Sequence, residues 1–279
     1  MISVPKLSLN DGRRMPQLGF GVYGISNAQA VAAIHTAFAA GYRLVDTATI
    51  YANEEGVGEA VQKGSVPREE LFVTTKVWND RHGYDATLRA FDESLKRLRL
   101  DYVDLYLIHW PLPQLGKYVE TWRALIKLKK DGRARSIGVS NFNIPHLERL
   151  AAETGVVPAV NQIELHPRLQ QRVLREYHAR HGIITESWSP IAHGRLPEDD
   201  CLTRIAKEHG RTPVQIVLRW HLELGLVAIP KSVTPSRIRE NIEIFDFRLT
   251  PDDMKQIAAL DRGQRQGPDP DVFAELLPT

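Results

Sequence analysis

Four residues in the first half of this sequence could share one reaction site. Asp46, Lys76 and His109 each end a short apolar stretch, and Tyr51 follows Asp46 by five residues. A carboxylate in a buried strand is costly unless a partner compensates its charge. If the three apolar stretches are neighbouring strands, an acid, a base, an imidazole and a phenol come together at their ends.

Such a group is suited to protonating an oxyanion while a hydride arrives at the adjacent carbon. A free phenol has a pKa near ~10, and a neighbouring ammonium lowers it. Asp46 would pair with Lys76, and neutral His109 would bind a carbonyl oxygen. The structural alternative is an ion pair, a packed tyrosine and a capped histidine, but four such residues at strand ends favour catalysis. No side chain supplies hydride, so a cofactor is required.

The elements that must position these residues form a repeated strand–helix pattern. An N-terminal hairpin turning at Asn10-Asp11-Gly12 precedes it. Strands are predicted at residues 17–21, 43–46, 71–76, 103–109, 135–139, 159–163, 183–187 and 226–229. Helices are predicted at 28–40, 55–62, 85–98, 118–130, from 145, and at 170–180, 201–209, 213–224, from 234, and at 251–260.

Eight strand–helix units predict an α/β fold, a (β/α)8 TIM barrel, because parallel neighbouring strands need helical crossovers. Two helices follow strand seven, so one of them is extra, and another extra helix lies near the C-terminus. No linker or repeat divides the chain. We therefore expect one domain over residues 1–279, with an irregular tail from about residue 262.

The barrel hypothesis makes a prediction about residue types, because barrel chemistry lies at the C-terminal ends of the strands. Nearly every predicted strand ends in a polar or aromatic group on that side. These residues are Asp46, Lys76, His109, Ser140 with Asn141, Gln162, Trp188 with Ser189, and Lys231 with Ser232.

Composition excludes several classes of function. The 279 residues carry 36 Lys and Arg against 34 Asp and Glu, a balance that gives no sign of a nucleic-acid or membrane partner. No apolar run is long enough for a signal peptide or a membrane span. Cys201 is the only cysteine, which fits a reducing compartment. We expect a cytoplasmic monomer acting on a small molecule, with no metal site.

A glycine motif offers a competing cofactor site. Gly19-Phe20-Gly21-Val22-Tyr23-Gly24 matches G-x-G-x-x-G, and an alanine-rich helix follows. However, the preceding residues make a poor buried strand, and Ile25-Ser26-Asn27 separates the last glycine from the helix. Eight units also exceed the usual six-stranded dinucleotide-binding sheet. The motif therefore does not favour a doubly wound fold.

A basic segment after strand eight is the better cofactor candidate. Residues 230–237 contain Lys231, Ser232, Val233, Thr234 and Arg237 and open a helix. Barrel phosphate sites often follow strands seven and eight. A 2′-phosphate on the adenosine ribose would use this charge, which favours NADPH over NADH. The alternative is a solvated basic helix cap.

The motifs Gly41–Ala48 with Tyr51, Ile137–Phe142 and Ile229–Ser232 resemble those of the aldo-keto reductases. The similarity runs from about residue 5 to 262 and is greatest to the bacterial 2,5-diketogluconate reductase branch. It implies NADPH lying extended across the strand ends of a barrel, and Tyr51 as general acid. It further implies cofactor contacts from Ser140, Asn141, Gln162, Trp188, Ser189, Pro190, Ile191, Lys231, Ser232, Val233, Thr234, Arg237, Glu240 and Asn241.

Many members of the family have tyrosine where Trp188 stands, and the loop 191–197 is short. Tyr23, Trp78, Trp110 and His109 follow strand ends and would wall an apolar substrate pocket. His178 is expected on a solvated helix surface.

The predicted activity is NADPH-dependent reduction of aldehydes or ketones, including dicarbonyls or keto sugars, to alcohols. Two alternatives remain. Lys76 could act as a Schiff-base amine in an aldolase-like barrel, or the barrel could be a cofactor-sensing binding module, as in potassium-channel β subunits.

Overall fold

The computed structural model describes residues 4–194 and 199–276, beginning with an antiparallel hairpin. Strand β1 (Lys6–Ser8) pairs with β2 (Arg14–Pro16), and Gly12 in the turn has a φ of 83°. That left-handed conformation favours glycine. Leu9 and Met15 pack against the interior side chains of the following sheet, so the hairpin covers one end of the barrel.

Eight parallel strands follow, each paired with the next in chain order. They are β3 (Phe20–Gly21), β4 (Leu44–Asp46), β5 (Phe72–Val77), β6 (Val103–Ile108), β7 (Ala134–Ser140), β8 (Val160–Glu164), β9 (Ile184–Trp188) and β10 (Val227–Ala228). Leu18 forms a parallel bridge with Ala228, and the Gly19 N–H donates to the Ala228 carbonyl at 2.9 Å. These contacts close the sheet, and the predicted (β/α)8 barrel is confirmed.

Helices connect the strands on the outside of the barrel. They are α1 (Asn27–Ala40), α2 (Glu54–Lys63), α3 (Tyr84–Leu98), α4 (Tyr118–Lys130), α5 (Ile144–Thr154), α6 (Arg172–Arg180), α7 (Asp200–His209), α8 (Pro213–Glu223), α9 (Pro235–Glu240) and α10 (Pro251–Ala258). Both α7 and α8 follow β9, and α10 precedes an irregular tail, as the sequence predicts. Among the described residues, no helix is long and apolar enough to cross a membrane.

Local sequence signals set several helix ends. Ser26 and Gln29 form a reciprocal capping box at the start of α1, and Thr212 with Gln215 does the same for α8. Gly41, at φ 115°, ends α1 in the left-handed conformation. Helix α6 begins at Arg172, two residues later than predicted, because the backbone of Gln171 has the left-handed conformation.

The barrel contains two apolar regions. One fills the interior below the strand ends and includes Leu44, Leu105, Leu107 and Val160, and the other lies between the strands and the helices. The glycine motif belongs to barrel closure and not to a dinucleotide fold. A Cβ on Gly21 would lie 3.1 Å from the Ile229 carbonyl oxygen, so the backbones approach closely there.

The expectation that His178 lies on a solvated surface is wrong. Its side chain is fully buried between α6 and the barrel, where Nε2 lies 2.9 Å from Asn161 Nδ2 and Nδ1 lies 2.8 Å from Thr185 Oγ1. Burial lowers the pKa of His178 to about 3, so the ring is neutral at pH 7. Buried Leu174 and Tyr177 precede it at helical spacing, and this pattern identifies the inward face.

Candidate active site

Asp46 and Lys76 form a buried ion pair at the open end of the barrel. Asp46 ends β4 and Lys76 lies near the end of β5, with Lys76 Nζ 2.6 Å from Asp46 Oδ1. The ammonium also donates to the Thr47 carbonyl oxygen at 2.9 Å. Burial alone would lower the pKa of Lys76, but Asp46 and Tyr51 raise it above the usual value. The lysine is therefore a fixed cation at neutral pH.

Tyr51 lies next to this pair on the 3-10 turn Thr49–Tyr51. Its hydroxyl oxygen is 3.5 Å from Lys76 Nζ, and the ammonium lies 5.0 Å from the centre of its ring. Loss of solvent around the hydroxyl raises the pKa of Tyr51 to about 12, although Lys76 opposes this shift. The expectation of a net lowering by Lys76 is therefore wrong, because desolvation outweighs the cation. The phenol is protonated at neutral pH.

His109 completes the group as a neutral imidazole. It directly follows β6, and its ring centre is 5.7 Å from that of Tyr51 and 5.0 Å from that of Trp78. Burial and then Lys76 hold the pKa of His109 well below its usual value. Nδ1 is buried and has no hydrogen-bond partner among the described residues. A neutral ring carries one N–H, so His109 can donate one hydrogen bond to a carbonyl oxygen.

Ser140 at the end of β7, Asn141 directly after it and Trp188 at the end of β9 form a connected set. The Asn141 amide donates to the His109 carbonyl oxygen at 3.0 Å, and its oxygen accepts from Trp188 Nε1 at 2.8 Å. Ser140 Oγ donates to the Gln162 carbonyl oxygen at 2.8 Å. The indole of Trp188 is half-buried, so it keeps an accessible surface on the barrel end.

Gln162 links Asp46 to Glu186, which no sequence motif indicates. Its Nε2 donates to Asp46 Oδ2 and to Glu186 Oε2, each at 2.8 Å. Glu186 lies in the middle of β9 and is fully buried. The signal that could have identified it is a carboxylate at an interior position of a predicted strand, although its neighbours Thr185 and Ser187 are polar.

The expected phosphate-binding residues lie together after β10. Lys231, Val233, Thr234 and Arg237 are exposed, and Ser232 Oγ accepts from the Thr234 N–H at 3.1 Å. Neither Lys231 nor Arg237 forms an ion pair with any residue in the described ranges. Helix α9 has only six residues, so side-chain charge is the main attraction for an anion there.

The remaining expected cofactor residues flank this segment. Glu240 accepts from Thr212 Oγ1 at 2.8 Å, and Asn241 is buried next to it. Directly after β9, Ser189 has a left-handed φ of 48° and precedes buried Pro190 and half-buried Ile191. The predicted short loop 191–197 extends beyond residue 194 and so lies partly outside the described residues.

An apolar wall lies beside Tyr51 and His109. Trp78, Trp110 and Leu112 form a cluster against which Ile50, Trp188 and Phe273 pack. The ring centres of Trp110 and Phe273 are 4.4 Å apart, and Trp78 Nε1 donates to the Leu276 carbonyl oxygen at 3.1 Å. Tyr23 is 62% exposed, with its ring centre 5.0 Å from that of Tyr51, so it stands at the outer edge.

The C-terminal tail therefore contributes a wall that sequence patterns did not reveal. Buried Glu164 accepts the backbone N–H of Gln266 at 2.7 Å and of Gly267 at 2.8 Å. A Cβ on Gly267 would lie 2.5 Å from Trp188 Cη2, so only glycine lets the tail pass this close to the indole. The tail is irregular, and its position depends on these long-range contacts.

The barrel with a Tyr–Lys–Asp–His group at its open end defines a class of oxidoreductase. Residues 17–262 match the model of the Aldo/keto reductase family, and the chain belongs to this family. The resemblance stated from the sequence motifs is confirmed.

Individual relatives cover almost the whole chain. The methylglyoxal reductase DkgA of Salmonella typhimurium is 56% identical over 269 residues, which cover 96% of this chain and 97% of the relative. An aldo/keto reductase structure from Brucella melitensis is 56% identical with a TM-score of 0.90, and covers 92% of this chain and 100% of its own. A structure of a Gox0644 mutant in complex with NADPH is 52% identical with a TM-score of 0.94, covering 98% and 99%.

Proposed function

We propose that this protein catalyses the NADPH-dependent reduction of small aldehydes and ketones, with Tyr51 as the general acid. The observation that carries this proposal is the continuous contact from Asp46 through Lys76 to the Tyr51 hydroxyl, at 2.6 Å and 3.5 Å. The family membership of the chain supports the reaction class, and the NADPH complex of a relative supports the cofactor.

The protein must supply a proton where negative charge develops on the carbonyl oxygen. Tyr51, with its pKa raised to about 12, holds that proton at neutral pH. It gives the proton to the oxygen as the carbonyl becomes an alcohol, and the Lys76 ammonium stabilises the resulting phenolate. Asp46 keeps the ammonium in place, and solvent returns the proton to Tyr51.

His109 orients the substrate. A neutral imidazole is a weak acid, so it donates one hydrogen bond to the carbonyl oxygen and leaves the proton transfer to Tyr51. The depressed pKa of His109 keeps this state across the neutral range. The carbonyl oxygen then lies between two donors, the imidazole N–H and the phenol O–H, which fixes the carbon for attack.

The residues along the strand ends fit an extended dinucleotide. When bound, NADPH supplies hydride to the carbonyl carbon. Ser140, Asn141 and Gln162 would hold the nicotinamide amide, and the half-buried indole of Trp188 would stack against the ring. Lys231 and Arg237, with Ser232 and Thr234, would bind the 2′-phosphate.

The proposed substrates are small 2-oxoaldehydes such as methylglyoxal, with keto sugars as a broader class. DkgA from Salmonella typhimurium is named a methylglyoxal reductase, and it is 56% identical to this chain. Trp78, Trp110 and Phe273 bring aromatic surface close to His109, which favours small carbonyl compounds over bulky ones.

The two alternative functions have weaker support. A Schiff-base lysine must lose its proton, whereas Asp46 raises the pKa of Lys76 and keeps it charged. A cofactor-sensing module would bind NADPH without turning over. Borohydride trapping and steady NADPH consumption discriminate these alternatives from a reductase.

The direct test is a panel of carbonyl compounds monitored by NADPH absorbance. We expect steady turnover with methylglyoxal and slower turnover with bulky ketones. Tight NADPH binding without turnover on any compound in the panel would contradict the proposal, as would substrate-dependent trapping of Lys76 by borohydride.

A further inference from the structure

A second buried carboxyl group lies within the catalytic group and has no part in the mechanism above. Glu186 pairs in register with Gln162 on β8 and with Val227 on β10, so its neighbours within the sheet are an amide and an apolar side chain. It has no accessible surface. The charged groups that face it are Asp46 from β4 and Lys76 from β5.

One amide nitrogen bridges the two carboxyl groups. Gln162 Nε2 has two hydrogens and lies 2.8 Å from Asp46 Oδ2 and 2.8 Å from Glu186 Oε2. Both hydrogens are therefore used, and only the amide oxygen of Gln162 can bind a further group. That oxygen is an acceptor, which matches the N–H donors of a nicotinamide amide.

The local charge balance requires a proton. Two ionised carboxylates beside the single ammonium of Lys76 would leave an uncompensated negative charge in a buried site. Burial, and then the negative charge of Asp46, raise the pKa of Glu186 to about 8. Oε1 of Glu186 has no partner among the described residues and is free to carry the proton while Oε2 accepts from Gln162.

We propose that Glu186 is a positioning residue, which acts through Gln162 on both the Asp46–Lys76 pair and the nicotinamide. By accepting one amide hydrogen, it fixes Gln162 with its nitrogen toward Asp46 and its oxygen available to the cofactor. When Glu186 ionises, a second negative charge next to Asp46 further weakens Tyr51 as an acid. This inference rests on the proposed function.

Two variants of Glu186 separate these effects. Glu186→Gln keeps an oxygen that can accept from Gln162 but cannot ionise, whereas Glu186→Leu removes the acceptor. Asp104→Asn is a matched control. Burial raises the pKa of Asp104 as well, but its carboxylate binds Arg68 and the Val73 N–H, nearer the N-terminal ends of the strands.

The first experiment is the pH profile of kcat/KM from pH 6 to 10 with saturating NADPH. We expect the wild type and Asp104→Asn to lose activity above about pH 8, and Glu186→Gln to lose this alkaline decline. An identical decline in Glu186→Gln would overturn the proposal, as would a flat profile in the wild type.

The second experiment measures binding, using protein fluorescence, of NADPH and of its 3-acetylpyridine analogue, which lacks the amide N–H groups. We expect the wild type and Glu186→Gln to bind NADPH more tightly than the analogue. In Glu186→Leu, the ratio of the two dissociation constants should fall by about tenfold. An unchanged preference in a folded Glu186→Leu would overturn the proposal. If Glu186→Leu does not fold, the pH profile of Glu186→Gln still decides. Failure of the wild type to bind NADPH would instead refute the proposed function.

Discussion

Lys76 Nζ lies 2.6 Å from Asp46 Oδ1, and neither side chain has more than 2% of its surface exposed. Two strands of the barrel thus hold one cation against one anion, and the cation lies 3.5 Å from the Tyr51 hydroxyl oxygen. Breaking such a buried pair leaves an uncompensated charge, which is more costly than the loss of a surface ion pair. The pair is therefore a structural element of the barrel, and the proposed mechanism also gives it a role in turnover.

The first prediction concerns this pair. Lys76→Met keeps the length of the side chain but removes the charge, so Asp46 is left buried without its cation. We expect the variant to lose about 3–5 kcal/mol of stability and most of its turnover. Urea unfolding and NADPH oxidation measure the two losses.

The double variant Lys76→Met with Asp46→Asn is the control for stability. Because it removes both charges, we expect it to recover part of the lost unfolding free energy but none of the turnover. Equal instability of the single and double variants would show that the charge pair is not the cause.

The second prediction concerns cofactor choice. Lys231→Ala and Arg237→Ala each remove a cation that makes no ion pair with any residue in the described part of the chain. We expect each to weaken NADPH binding about tenfold or more, with less than a twofold change for NADH, because only NADPH carries the 2′-phosphate. Fluorescence titrations with both cofactors test this difference.

Arg239→Ala is the matched control, because Arg239 is exposed on the same short helix and is expected to face solvent. Its NADPH affinity should be unchanged. A parallel loss for NADPH and NADH in the Lys231 and Arg237 variants would remove the phosphate role from this segment.

The third prediction concerns His82, whose ring is buried with no hydrogen-bond partner among the described residues on either nitrogen. Burial lowers the pKa of His82 to about 4, below the usual value of 6.5. As pH falls from 6.5 towards 4, the unfolded chain therefore binds a proton that the folded chain does not, and stability is lost.

His82→Phe removes this contribution. We expect stability within about 1 kcal/mol of the wild type at pH 7, and an advantage growing by about 1.4 kcal/mol per pH unit below 6.5. Urea unfolding at pH 7 and pH 5 measures this difference in unfolding free energy between the variant and the wild type. His178→Phe is the contrasting variant, because it removes the hydrogen bonds from the His178 ring to Asn161 and Thr185 and should destabilise the protein at pH 7. A large loss for His82→Phe at pH 7 would mean that its ring nitrogens are satisfied.

Much of the site could be predicted from the sequence because a parallel barrel brings strand ends together. Asp46, Lys76 and His109 were recognisable as polar residues ending apolar stretches, and the structure places them within one group. Strand limits differ by at most one residue except in the first strand, which begins at Phe20, three residues later than predicted, since hydrogen bonding between neighbouring strands decides the limits of each strand.

The rest depends on contacts between distant parts of the chain. Glu186 is compensated by Gln162 from another strand, so its environment cannot be seen in its own segment. Phe273 and Gly267 lie in a tail without periodicity, which is held by Glu164. The pKa of Tyr51 also depends on such contacts, because residue types reveal a nearby cation but not the extent of desolvation.

The role of Tyr51 is tested most directly by the turnover of Tyr51→Phe with methylglyoxal, measured beside its affinity for NADPH. We expect kcat to fall by about 100-fold or more while the NADPH dissociation constant stays within about twofold, because only the proton donor is lost. A kcat within threefold of the wild type would contradict the role of Tyr51 as the general acid.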